Sequence, residues 1–177
     1  MKKLLLAAVA ALATAMPAMA TVDPNTNNLL AQIEGHGIEV VINTKQCEMR
    51  NIHGSYSYSY RTNVRTMTLC PGESVDAIDH STVRHETVHA IQHCTNILKR
   101  KPLGTPILDD PEEFQRMVVD NLDPALKSMI QEYYPRAHWE IEYEAWLLER
   151  VMTAEELMTM FDQTCGRVSE LAFQSED

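Results

Sequence analysis

Two hydrophobic periodicities divide this chain, and the change from one to the other falls between Cys70 and Asp79. Upstream, Ile38-Glu39-Val40-Val41-Ile42 is β-branched, Gly54 to Tyr60 alternates Ser with Tyr, and Val64 to Leu69 reads Val-Arg-Thr-Met-Thr-Leu. Period-two patterns of this kind predict strands with unlike faces, and Pro71-Gly72 closes the region. Downstream the period is that of a helix. Ser81 is placed to cap a helix whose positions Val83, Thr87, Ala90, Ile91, Cys94, Ile97 and Leu98 recur at three and four. Asp110-Pro111-Glu112-Glu113 and Asp123-Pro124 open two more helices, Pro135 a further one running through Met152, and Thr153-Ala154-Glu155-Glu156 forms a capping box for a last helix ending at Gly166. Residues 21–35 are polar and read as an extended entry with a short helical turn. Strands first and helices after predict an α+β domain: a small antiparallel sheet followed by a helical layer.

The first of those helices carries His85-Glu86-Thr87-Val88-His89, an H-E-x-x-H. Residues four apart on a helix share a face about 6 Å apart, so two imidazoles can converge on one ion. Zn²⁺ is the divalent metal best matched to neutral imidazole with a carboxylate. Glu86 follows the first imidazole directly and projects beside the ion, where a carboxylate can take a proton from activated water and hand it on. By composition alone the pattern would arise in roughly 2–3 of 100 shuffled chains, so its place inside a well-formed helix is what gives it weight.

A third ligand is needed. His93 is four past His89, but about 12 Å of helical rise separates it from His85, which predicts a neighbouring or solvent-facing role instead. The helix at 135–152 offers Glu140-Ile141-Glu142-Tyr143-Glu144-Ala145-Trp146, whose three alternating acids cannot all face inward. Gln92 and Asp79 are candidates to orient a ligand imidazole. His138, four residues before Glu142, and Tyr134 or Tyr143 are candidates to stabilise an oxyanion. Met158-Thr159-Met160 reads as core packing.

At these residues the chain resembles the Glu-zincin metallopeptidases, in which H-E-x-x-H is completed by a Glu from a later helix in an E-x-x-A setting. Glu142-Tyr143-Glu144-Ala145 fits that setting, so the resemblance implies His85, His89 and Glu142 as metal ligands, with Glu144 the second choice for the third. The family often has an Asp one place after that Ala, where this chain has Trp146. The stretch His85 to Cys94 is also similar to the active helix of the mitochondrial ATP synthase-processing peptidases, where H-E-x-x-H is soon followed by a Cys. What these resemblances imply is a minimal zincin-like fold, a peptide or protein substrate, and an edge strand, Thr66–Cys70, beside the metal to hold an extended peptide.

The N-terminus reads as an address. Lys2 and Lys3 precede an apolar run from Leu4 to Met16, and Ala18-Met19-Ala20 is a small-residue cleavage site. The run is shorter than the ~18–20 residues a bilayer span needs, which predicts a removable secretory signal over 1–20, one mature domain over 21–177, no stable membrane anchor, and a secreted or periplasmic location. Four cysteines, Cys47, Cys70, Cys94 and Cys165, then imply two disulfides. Of three possible pairings, placement along the elements favours Cys47–Cys70 and Cys94–Cys165. Fifteen basic against 25 acidic side chains give a net charge of −10, without the basic stripe that a nucleic-acid partner requires. The expectation is an exported zinc-dependent peptidase with Glu86 as general base. Its rival is a non-catalytic exported domain that holds a metal at the same residues.

Overall fold

The computed structural model describes residues 24–42, 45, 47–48, 52–70 and 80–168. The expected signal segment, the site after Ala20 and Asp79 lie outside them. The fold is α+β, as the two periodicities predict.

The chain enters through helix α1 (Pro24–Gly35), longer than the single turn expected, because Leu29 and Ile33 repeat at four and both reach full burial. Three strands follow: β1 (Ile38–Ile42), β2 (Gly54–Ser59) and β3 (Val64–Leu69). Strands β2 and β3 form the antiparallel hairpin the alternation predicts, with Gly54 opposite Leu69 and Ser59 opposite Val64. Asn63 takes a positive φ of 54° in their connection, a conformation Asn tolerates better than most residues. The sheet as a whole is mixed rather than antiparallel. Its order is β1-β3-β2, and β1 runs parallel to β3 with Ile38 opposite Arg65. Strands β1 and β2 therefore flank β3 on opposite sides, and the Cys47–Cys70 disulfide ties the residues before β2 to the end of β3. This order makes β3 the central strand and β2 the edge, which corrects the expectation that Thr66–Cys70 is the edge.

Helix α2 (His80–Lys99) is the spine of the domain. It begins at His80, so Ser81 lies inside it. Helices α3 (Pro111–Asn121), α4 (Pro124–Tyr133), α5 (Trp139–Val151) and α6 (Ala154–Phe161) follow. The caps form as expected: the Asp110 carboxylate accepts from Glu112 and Glu113 N–H, Asp123 from Leu126 N–H, and Thr153 and Glu156 close a capping box. At Pro135 the expectation needs correcting, since a 3₁₀ turn, Arg136–His138, precedes α5. Helix α6 runs on into a π turn, Asp162–Gly166, where the Cys94–Cys165 disulfide joins it to α2.

Two apolar clusters hold these elements. The larger packs Leu29, Ile33, Met67, Leu69, Val83, Ile91 and Phe161, with Met158 and Met160 against it as expected of core residues. The smaller gathers Phe114, Val118, Leu126 and Ile130 around Leu147. Helix α5 sits between them, giving Ala145 and Leu148 to one and Leu147 to the other. The Arg84 guanidinium binds the carbonyls of Glu149 and Met152, using carbonyls that a helix end leaves without intrahelical partners. Helix α2 is thereby locked to α5, and the facing strip between them is where the buried polar residues collect.

Candidate metal centre

His85 and His89 stand one turn apart on α2, their rings 4.8 Å apart and nearly perpendicular. From α5, Glu142 Oε2 comes to 3.4 Å from His85 Nε2 and 3.6 Å from His89 Nε2. Donors ~2.0–2.1 Å from a tetrahedral ion lie about 3.3–3.4 Å apart, so these separations suit an ion between the three atoms better than direct hydrogen bonds. Accordingly, Glu142 Oε2 is buried without a hydrogen-bond partner. His85, His89 and Glu142 are the one such ligand group among the described residues, and they could hold a metal ion.

Each imidazole is oriented from behind. Gln92 Oε1 lies 2.7 Å from His89 Nδ1, as expected of that residue. Its amide nitrogen donates to Ile141 O and to Glu144 Oε2, both at 2.9 Å. Glu144 also accepts from the N–H groups of Ile107 and Leu108 at 2.7 and 2.8 Å. The second-choice ligand is thus turned away from the ligand group, into a knot that fastens the 105–108 loop to α5. Glu140 is exposed.

His85 is oriented by a residue that the sequence pattern does not single out: Glu149 Oε2 stands 3.3 Å from its Nδ1. Glu149 follows Glu142 by seven residues, two helical turns, so both carboxylates share a face of α5. Between them, Trp146 lays its ring 4.8 Å from that of His85. Where the resembled family has an Asp at position 146, this chain has an aromatic ring, and a carboxylate arrives from one turn later. The i, i+7 spacing is the signal that could have found it.

The electrostatics follow from burial and these carboxylates. Burial works to lower the pKa of His85, but Glu142 and Glu149 outweigh it and raise it to about 9. Burial would raise Glu142, yet the two imidazoles hold it down at about 2. The carboxylates thus draw positive charge onto His85 while Glu142 stays ionised beside it, an arrangement that a proton on the ring or a metal ion can satisfy.

Glu86 does not belong to the ligand group. It is buried beside it, with Oε2 lacking a hydrogen-bond partner. Burial raises its pKa, while His89, His85 and the Tyr56 backbone N–H pull the other way. The edge strand passes directly over it: a Cβ built on Gly54 would lie 2.6 Å from Thr82 Cγ2 and 2.9 Å from Glu86 Oε1. Burial raises the Tyr134 hydroxyl strongly, and Glu142 and Glu86 raise it further, so it stays a proton donor facing both acids. The other oxyanion candidates fall elsewhere. Tyr143 accepts from Gln131. His138 is exposed, because the 3₁₀ turn replaces the helical turn that would have carried it to the face of Glu142.

His93 is not solvent-facing, and it does not belong to the ligand group. It is buried under β2, its Nδ1 2.7 Å from the Tyr56 hydroxyl and its ring 4.5 Å from Tyr58. A cavity of about 500 Å³ opens beside His85 and Glu86, between α2, α4, α5 and the start of β2. Comparison with known proteins finds no matching family model, no similar curated protein and no similar solved structure.

Proposed function

We propose that this chain is an exported zinc-dependent metallopeptidase of the Glu-zincin type, acting on peptide or protein substrates. The observation that carries the reading is Glu86: a buried carboxylate beside the ligand group, outside it, with one oxygen unpartnered. A site that only stores or braces a metal gains nothing from such an acid and usually closes its last position with protein.

Two imidazoles and one carboxylate are the donor set that suits zinc. Bound zinc supplies Lewis acidity, which polarises a carbonyl and makes water nucleophilic at neutral pH. The chain's own groups do the rest. Glu86, whose pKa burial raises, takes the proton from the attacking water and delivers it to the leaving amine. The Tyr134 hydroxyl donates to the oxygen on which negative charge develops. The edge strand β2 binds the substrate backbone by strand addition, next to Glu86.

The two disulfides of the fold, Cys47–Cys70 and Cys94–Cys165, support an oxidising compartment. Together with the signal-like residues 1–20 they favour a secreted or periplasmic protein. No helix among the described residues is long and apolar enough to cross a membrane.

The deciding experiment is Glu86→Gln, which keeps shape and removes basicity. Zinc content and Tm should stay near wild type while hydrolysis of a mixed peptide library falls at least ~100-fold. Wild-type protein that binds zinc stoichiometrically yet cleaves no peptide would favour the metal-holding alternative.

A further inference from the structure

Through Tyr56, strand β2 is fastened to α2 at two places. The Tyr56 backbone N–H donates to Glu86, and the Tyr56 hydroxyl lies 2.7 Å from His93 Nδ1. Glu86 and His93 are seven residues apart on α2, so two helical turns and ~10 Å of rise separate the attachment points. The imidazole sits among rings, that of Tyr58 at 4.5 Å and that of Tyr56 at 5.6 Å. His93 is 7% exposed, and its Nε2 is buried without a hydrogen-bond partner. As a purely stabilising device this is poor, because an apolar pair of the same shape would leave no orphaned nitrogen. What the hydrogen bond adds is direction and length. Apolar packing lets a strand slide along a helix, whereas a bond at the end of a side chain with only two torsions fixes the Cα that carries it.

We propose that Tyr56 and His93 are positioning residues for hydrolysis: they fix the edge strand β2 along α2, so that a peptide paired with it presents its scissile carbonyl to Glu86 and the metal ligands. This rests on the peptidase reading and adds to it the residues that hold the substrate-binding strand in place. Among the described residues β2 has β3 as its one strand neighbour, so the sheet sets its direction and the helix sets where it lies over Glu86. At the start of the strand, Gly54 packs on Thr82 and Glu86 without a side chain, a contact that sets the closeness of approach but gives no lateral hold. Tyr56 supplies that hold. Neither residue touches the reacting atoms, since His93 acts through Tyr56 and Tyr56 acts through the strand. Misplacement by about 1 Å can cost ~100-fold in rate, and a substrate long enough to pair with β2 is the one that feels where the strand lies.

The test compares two substrates on zinc-loaded protein. One is a peptide of about eight residues, long enough to pair with β2; the other is a blocked dipeptide holding only the residues that flank the scissile bond. Tyr56→Phe removes the hydroxyl and keeps the ring. Its kcat/KM should fall at least ~10-fold more on the long peptide than on the short one. His93→Leu should give the same bias, and His93→Asn, which keeps a polar atom near the place of Nδ1, should restore most of the loss. The Tyr56→Phe/His93→Leu double variant should be no worse than either single one. Loss of folded protein lowers both substrates alike, so equal losses on the two, or additive losses in the double variant, overturn the proposal and leave the peptidase reading intact. A second arm needs no cleavage. Fluorescence anisotropy follows the labelled long peptide on zinc-loaded Glu86→Gln protein, where adding Tyr56→Phe should weaken binding severalfold. If the wild type leaves a substrate uncut, this arm decides: weakened binding upholds the pair, and unchanged or absent binding refutes it. Both substrates left uncut would end the peptidase reading by itself.

Discussion

Gly54 lies against Glu86 with no room between them for a methyl group: its Cβ would come within 2.9 Å of Glu86 Oε1 and 2.6 Å of Thr82 Cγ2. The missing side chain lets the edge strand cross α2 at the level of the proposed base. Gly54→Ala should push β2 away from α2 or turn Glu86 out of place. Overpacking of this sort costs about 1–3 kcal/mol. The expected result is a modest fall in Tm, unchanged zinc stoichiometry and hydrolysis reduced at least ~10-fold. Full activity in the Gly54→Ala variant would show that the strand's approach to Glu86 is unimportant.

Glu142 and Glu144 are two residues apart and should fail in different ways. Glu142→Ala removes the anionic ligand and should weaken zinc binding by a large factor while the fold survives. Glu144→Ala strands the Ile107 and Leu108 N–H groups and leaves the Gln92 amide nitrogen with only its bond to Ile141 O. Unsatisfied buried groups cost about 1–3 kcal/mol each, so this variant should lose several degrees of Tm before any loss of zinc. Equilibrium dialysis against zinc and thermal melts, run on both variants, separate the two roles.

Glu149→Gln tests the support behind His85. The amide keeps the shape but no longer places a negative charge beside His85 Nδ1. Losing such a partner typically lowers metal affinity ~10–100-fold. Competition with a chelator should show that drop, and the cobalt-substituted protein should show a shifted visible spectrum, which a merely structural residue would not produce. Unchanged affinity and spectrum would remove Glu149 from the centre.

The helices, their caps and the H-E-x-x-H are legible in the sequence because each is written in local spacing: Asp110 and Asp123 before Pro, Thr153 three before Glu156, His85 four before His89. Strand order is not. Nothing between Ile42 and Gly54 announces that β1 and β2 flank β3 on opposite sides, so a meander with an antiparallel β1 is the natural expectation, and β3 reads as the edge. Pairing of the cysteines is legible from their elements. Within the site, Glu142 is singled out by the E-x-x-A resemblance and not by spacing alone, whereas His138 cannot be placed by spacing because a 3₁₀ turn after Pro135 breaks the count of four. Glu149 and Gly54 are hidden for a different reason. Their importance comes from what a second element brings against them, His85 in one case and Glu86 in the other.

His93 gives the fold a pH dependence of its own. Burial, with the nearby Arg65 guanidinium adding to it, lowers its pKa to about 4, and Tyr56 holds it by a hydrogen bond. In the unfolded chain the same imidazole titrates near ~6.5. Between those values the unfolded state binds a proton that the folded state refuses, so the contribution of His93 to stability is whole above ~6.5 and drains away as pH falls towards ~4. Replacing it with Gln, which can still bond to Tyr56 but does not titrate, should flatten that part of the curve. Melts of wild type and His93→Gln at pH 7.5, 6, 5 and 4.5 give the comparison: the gap between the two Tm values should narrow as pH falls. A gap constant across the series would mean that His93 takes up its proton in the folded state as readily as in the unfolded one.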